Sequence, residues 1–436
     1  MTTPEFRSRH KNKKKGIGRE PVQGRDPSMT SRGQLAELLR DTNFRRIWLT
    51  GMASGVSRWL ELLVVGIYAF ETTGSPFLVA LMIALRLSPL VFFGTLVGTL
   101  ADRLSPRRFM IGGMAWGLFV SFVMFLLFFF GVAEYWMVAI GAVGSGIVWT
   151  LDMPLRRRML GDIAGKDRLV TGLSFESATN NSTRLFGPLL GGFLYAALGP
   201  EGTFALSSLL FAFGLSMILR TSRGLSRNVA VSPPGRIVTE IREGFGLALH
   251  NPDILRILMV TVVYNIWAMP FVSMIPVIGS EQMQLSPAWI GIIASLEGVG
   301  ALVGGLAIAM TSITMPFRWI YFGGVFLYMA FAFVASLMFH ALPMAMLVFM
   351  VGLCAAGFSS MQSTLTYTVA PPNMRSRLFG LVVLCIGTGL IGAANIGLMG
   401  EWFGGANAVR IGAAEGMIVL FLLGISWREL RAGVRP

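Results

Sequence analysis

Long apolar runs alternate with short polar breaks along almost the whole chain, and the runs are continuous rather than repeating every second residue. A bilayer core about 30 Å thick needs roughly 20 apolar residues per helix. On that measure spans fall near 47–70, 77–100, 108–130, 135–155, 169–197 and 203–220. After a polar stretch they resume near 254–278, 288–312, 316–339, 343–369, 378–400 and 407–427. The pattern predicts an all-α membrane protein with twelve transmembrane helices in two six-helix sets; barrel strands would alternate instead.

The polar segments divide the chain further. Residues 1–33 are basic, polar and nearly free of apolar side chains, which predicts a disordered cytoplasmic tail. Residues 34–220 form the first six-helix half, with a short surface helix over 34–47 leading into the first span. The linker 221–253 places Ile237, Ile241, Phe245 and Leu249 at four-residue steps among charges, the signature of an amphipathic helix at the interface. Residues 254–427 form the second half, and 428–436 a short tail.

Of the 436 residues only 13% are charged, about half the share usual in soluble domains. A net charge of +14 could suggest nucleic acid, but its placement does not. The loops at 71–76, 131–136, 198–203, 279–287, 338–343 and 401–407 contain no Lys or Arg. Arg103, Arg107, Arg108, Arg156 to Arg158, Lys166, Arg168, Arg318, Arg375, Arg377 and both tails lie on the other side. The positive-inside rule then puts both termini in the cytoplasm of an inner (plasma) membrane protein. Cys354 and Cys385 lie in apolar stretches and the three histidines are scattered, so no disulfide framework, metal site or cofactor is expected.

The halves resemble one another. A displacement of 211 positions aligns Ser75-Pro76 with Ser286-Pro287, Gly94 with Gly305, Arg107 with Arg318, and Gly112-Gly113 with Gly323-Gly324. Two like bodies related by an axis along the membrane normal can rock about a central site. A channel needs no such duplication.

Between spans 2 and 3 stand Gly98, Asp102, Arg103, Arg107 and Arg108. This loop resembles the G-x-x-x-D-R-x-x-x-R-R signature of the major facilitator superfamily, and the span count and linker fit that fold. The resemblance implies that Asp102, near the start of span 11, latches the outward-open state, with Arg103 and Arg107 completing a charge relay. The alternative is a turn whose arginines only obey the positive-inside rule. In span 5, Gly187, Pro188, Gly191 and Gly192 resemble the end of the antiporter motif G-x-x-x-G-P-x-x-G-G, with Thr183 in place of the first glycine. These glycines allow close helix approach. Together with Arg156 to Arg158, Asn181 and Arg184, the stretch is similar to the enterobactin-exporter and macrolide-efflux branch of drug:proton antiporters.

Ionisable residues in mid-membrane cost about 2.5–3.5 kcal/mol each, so they should face a cavity or a partner. Arg58 and Glu61 are three residues apart and can pair within span 1. Glu176, Asn180, Thr183 and Arg184 make one polar stripe on span 5, suited either to a wet pathway or, for Arg184, to joining the halves. Glu297 has no basic residue in its own span, so it is a candidate proton carrier unless Arg58 or Arg86 meets it across the cavity. Glu61, Glu297 and Glu176 are thus the candidate proton-coupling acids. Arg58, Arg86, Asn180, Arg184, Tyr264, Asn265 and Gln362 are the candidate cavity residues. Glu415 and Arg410 in span 12 are expected to be peripheral.

The reading is a secondary active transporter that works by alternating access, a proton-coupled exporter of small amphiphilic molecules, drug- or siderophore-like. Its partners would be that substrate, protons and membrane lipids, without nucleic acid, and a monomer suffices. A proton-coupled importer of a nutrient or metal chelate, or a lipid transporter, would use the same parts. No P-loop of the form G-x-x-x-x-G-K-[ST] occurs, and no catalytic constellation of a membrane enzyme is present.

Overall fold

The structure is a computed structural model. It describes the backbone of residues 31–103, 105–222, 245, 246, 248–310, 317–369, 371 and 374–427, without the side chains of 31, 32, 93–103, 166, 167, 170, 309, 375–377 and 379. The helices are α1 (Ser31–Arg40), α2 (Thr42–Thr73), α3 (Pro76–Arg103), α4 (Pro106–Phe129) and α5 (Tyr135–Leu219). They continue with α6 (Pro252–Glu281), α7 (Pro287–Met310), α8 (Phe317–Ala335) and α9 (Ala341–Val369). The last are α10 (Arg375–Gly387), α11 (Gly389–Phe403) and α12 (Gly405–Ser426).

Local chemistry explains many of these boundaries. Asp41 ends α1 and accepts from the Asn43 and Phe44 amides at 2.7 and 3.0 Å, capping α2. Ser105 and Asn251 cap α4 and α6 in the same way, each followed by a proline at the first helical position. Within α6 the Met269 amide bonds back to the Tyr264 carbonyl at 2.9 Å, making a π turn over Tyr264–Ala268 just before Pro270. Tyr264 and Asn265, at the start of that turn, are both buried.

Ten of the described helices are long and apolar enough to cross a membrane. The difference from the twelve expected runs lies in two places. In α3 the shorter apolar stretch Pro76–Phe92 is what the described residues contain. The 49-residue stretch Thr171–Leu219 holds Gly199 at φ 69°, ψ −172°, a conformation that breaks a helix and that only glycine adopts cheaply. Gly165, at φ 67°, makes a similar break, so α5 consists of three legs, 135–165, 166–198 and 200–219. The first leg is longer than the expected span: Arg156 to Arg158, assigned above to a loop, are helical. The amphipathic helix expected around Ile237 and Ile241 lies outside the described residues.

The two halves meet along α2–α6, α3–α11 and the second leg of α5 with α7. At one end these contacts are backbone-close. A Cβ on Gly192 would stand 2.6 Å from the Pro287 carbonyl oxygen, and one on Gly291 2.7 Å from that of Pro188. Gly397 and Gly400 bring α11 against Ala80 and Pro76 of α3, where an added Cβ would meet side-chain atoms at 2.7 Å. Small residues permit this approach in lipid, where packing rather than the hydrophobic effect drives helix association. The sealed end is the one whose loops carry no Lys or Arg. Large exposed apolar side chains such as Phe119, Leu209, Leu342 and Phe421 clothe the outside, as a lipid-facing surface requires.

Candidate functional site

The middle of the bundle contains a narrow cavity between the halves. It consists of two adjoining voids of about 30 Å³ each, room for a water or two rather than an organic molecule. Trp59 and Leu62 of α2, Ile83 and Arg86 of α3, Trp149 and Arg184 of α5, and Tyr264 and Ser273 of α6 line the first. Tyr328 of α8 and Gly389 of α11 complete it. Pro188 and Glu297 line the second. The walls are thus aromatic and aliphatic, with two guanidinium groups and one carboxylate set into them.

Arg184 and Glu297 form an ion pair across the two halves, from the second leg of α5 to α7. Arg184 also lies over the ring of Trp59, 4.9 Å from its centroid. Neither Arg58 nor Arg86 reaches Glu297, contrary to one expectation. The pairing is set by Gly298, where a Cβ would come 2.6 Å from the Arg184 carbonyl carbon. Tyr264 stacks on Phe358 at 3.8 Å and meets Tyr328 edge-on at 5.3 Å.

Glu61 does not pair with Arg58 and does not line the cavity. Its Oε1 accepts from Ser121 and Ser207 at 2.7 and 2.5 Å, and its Oε2 from Ser145 at 2.9 Å and Arg86 at 3.3 Å. The donors come from α3, α4 and two legs of α5, so this carboxylate ties the first half together from within. Four donors compensate a buried charge well. Arg86 also donates to the Arg58 carbonyl at 3.1 Å, and only its edge faces the cavity.

Arg58 turns instead to Asp152, 3.0 Å away, and lies 5.3 Å from the centroid of the Trp149 ring. Asp152 Oδ2 also accepts from Ser54 at 3.1 Å and Arg156 at 3.3 Å. Arg156 goes on to Glu176 at 2.9 Å, and Glu176 to Arg157 at 3.2 Å. A continuous row of buried charge therefore runs through the first half. Sequence reasoning missed Asp152 and took Arg156 for a loop residue, although Asp152 and Arg156 have the i,i+4 spacing of a helical pair. It also missed Trp59, Trp149 and Tyr328. The stripe expected on span 5 is split, because Glu176 faces this row while Arg184 faces the cavity.

Gly51 makes room for the row, since a Cβ there would overlap the Arg156 side chain. That side chain is held at Asp152 and Glu176 and cannot step aside. Gly51→Ala is expected to destabilise the protein by about 1–3 kcal/mol, read as a lower unfolding temperature in detergent.

The remaining candidates lie elsewhere. Asn180, Asn265 and Gln362 do not line this cavity. Asn265 donates to the Thr261 carbonyl within α6, and Gln362 of α9 to the Thr261 hydroxyl, both at 2.9 Å, so Gln362 ties α9 to α6. Gly187 and Gly191 lie against the α2 backbone near Trp59 and Leu60, and Gly192 against α7. Arg107 donates to the Leu219 and Thr221 carbonyls at 2.7 and 3.0 Å. It thus completes the C-terminus of α5. The side chains of Asp102 and Arg103 and the surroundings of Gly98 lie outside what the structure describes. Glu415 accepts from Trp267 at 3.1 Å, while Arg410 bonds Asn407 and Ser336.

Residues 33–432 match the family described as transmembrane secretion effector. Macrolide efflux protein A of Streptococcus pyogenes is 22% identical over 61% of this chain and 66% of its own length, just under two thirds of that relative. An MFS-type transporter of Bacillus subtilis, YfiS, is 23% identical over 80% of this chain and 85% of its own. The nucleoside transporter NupG shares the fold at a TM-score of 0.70 and 13% identity, covering 88% of this chain and 98% of that one. A bacterial homologue of the lysosomal transporter Spinster, in an inward-facing, unoccupied conformation, superposes at 0.66 with 15% identity over 91% and 96%.

Proposed function

Because the chain belongs to the transmembrane secretion effector family, of the major facilitator type, we propose that it is a proton-coupled exporter of small amphiphilic molecules. The observation that carries the reading is the Arg184–Glu297 pair, set in the cavity wall and joining the two halves. A proton on Glu297 removes the charge that Arg184 answers and loosens the tie between α5 and α7. Loss of that proton restores the tie. Substrate and proton thus act on one interface in turn, which is the requirement for exchange.

The lining supports an amphiphilic substrate. Trp59, Trp149, Tyr264 and Tyr328 offer flat apolar faces, while Arg86 and Arg184 offer polar edges. The cavity must widen to admit such a molecule, so a rocking motion is part of the proposal. Glu297 takes the coupling role; Glu61, held by four donors, and Glu176, paired with Arg156 and Arg157, take structural ones. With both termini in the cytoplasm, the sealed end faces outward.

Export is tested in inverted membrane vesicles with an acidified lumen, so that protons leave as substrate enters, using macrolide and dye panels. Accumulation that rises severalfold with the gradient and collapses with an uncoupler is expected. Accumulation indifferent to the gradient for every substrate would remove the proton-coupled reading.

A further inference from the structure

The seal between α3 and α11 contains one charged contact. The Ser75 hydroxyl donates to Glu401 Oε2 at 2.5 Å, and its oxygen accepts from the Leu78 amide at 3.2 Å. Ser75 is therefore the N-cap of α3, with Pro76 at the first helical position. Glu401 lies in the last turn of α11, on the other half of the molecule. A capping-box acid accepts the N-cap backbone N–H from within the same helix; here that N–H goes to the Thr73 hydroxyl at 3.2 Å, and an acid from across the interface takes the Ser75 hydroxyl instead. Its charge sits beside the first turn of α3, where unpaired amides make the helix end electropositive.

We propose that Glu401 is a positioning residue of the transport cycle, a latch that holds the outer end of the halves shut. The contact exists only while α11 lies on α3, since the two residues are on different halves. It is reinforced by Gly400 against Pro76 and Gly397 against Ala80, so separation at this end breaks the hydrogen bond and the glycine packing together. The sequence expectation for Asp102 places an acid at the opposite end of the same helix pair, opposing the start of the span that α10 and α11 make up. Two acids, each at the C-terminal end of one helix and beside the N-terminus of its partner, would then bias the equilibrium in opposite directions. Of the other acids of this face, Glu71 binds Tyr195, Glu134 binds Trp136 at 2.6 Å and Glu281 accepts from the Gly405 amide at 3.5 Å, each within one half.

The inference rests on the alternating-access reading but not on protons or substrate, and its test uses neither. Cys354 and Cys385 are replaced by serine in the full-length chain, and Ser273→Cys places a thiol in the cavity wall. Labelling by an impermeant maleimide is followed from the outer side in right-side-out vesicles and from the inner side in inverted ones. Glu401→Ala is expected to raise the outer labelling rate roughly fivefold. Glu401→Gln should fall between, because the amide keeps a partner for Ser75 but not the charge. Ser75→Ala should add nothing in the Glu401→Ala background, and Glu134→Ala should leave the rate unchanged. Equal outer rates for parent, Glu401→Ala and Glu401→Gln, with unfolding temperatures preserved, overturn the latch while leaving proton coupling untouched. A thiol labelled from neither side overturns alternating access itself.

Discussion

Glu297→Gln is expected to abolish the acceleration of transport by a proton gradient, a loss of at least about tenfold, while the protein still reaches the membrane. Two effects separate here. Glutamine cannot carry a proton, so the driving force no longer reaches the interface. It also leaves the Arg184 guanidinium without its countercharge in a site where Glu297 is only 3% exposed. Removing one partner of a buried pair costs about 3–5 kcal/mol, largely because the other charge is stranded. Glu297→Gln combined with Arg184→Gln removes both charges, and it should recover much of the stability without recovering coupling. The measurement is gradient-driven uptake into inverted vesicles beside thermal unfolding of the purified variants. Full gradient response in Glu297→Gln would exclude this residue as the coupling acid.

How far this site could be read beforehand depends on which contacts are local. The spans follow from the apolar runs, because a helix in lipid must satisfy its own backbone and needs a fixed length to do so. Glu297 stood out for having no basic residue in its own span. Its partner did not, since Arg184 is 113 positions earlier and nothing in the local pattern links them. Only the crossing of α5 and α7, made close by Gly192, Gly291 and Gly298, brings the two together. Arg58 and Glu61 show the opposite error. Their three-residue spacing suggested a pair, but two competing partners, Asp152 for the arginine and a ring of serines with Arg86 for the acid, come from neighbouring helices. Serines 121, 145 and 207 carry no sequence signal as carboxylate ligands, because hydroxyls in membrane helices ordinarily bond their own backbone. Arg156 was misread for another reason. Three successive arginines at the end of an apolar run fit the positive-inside rule, and nothing in that local pattern marks Arg156 as buried.

The row from Arg58 to Arg157 makes a second large effect foreseeable, on stability rather than coupling. Asp152 is 2% exposed and answers Ser54, Arg58 and Arg156 through one oxygen. Asp152→Ala leaves Arg58 without a countercharge, and Arg156 with Glu176 alone. The expected cost is about 3–5 kcal/mol, or roughly 3–5 °C in unfolding temperature for a chain of this length. Asp152→Asn keeps an acceptor for Ser54 and should cost less. The decisive comparison is Asp152→Leu with Arg58→Met, which removes acid and base together and fills similar volume. Replacing a buried pair by apolar side chains is often neutral for stability, so this double variant should unfold close to the parent. It would nevertheless take the guanidinium from behind Trp149, a cavity wall. If the row exists only to hold the first half together, transport survives in the double variant. If Arg58 also fixes the Trp149 ring that substrate touches, apparent substrate affinity falls while the unfolding temperature does not. A single Asp152→Ala variant that melts within a degree or two of the parent would show that the row does not hold the first half together.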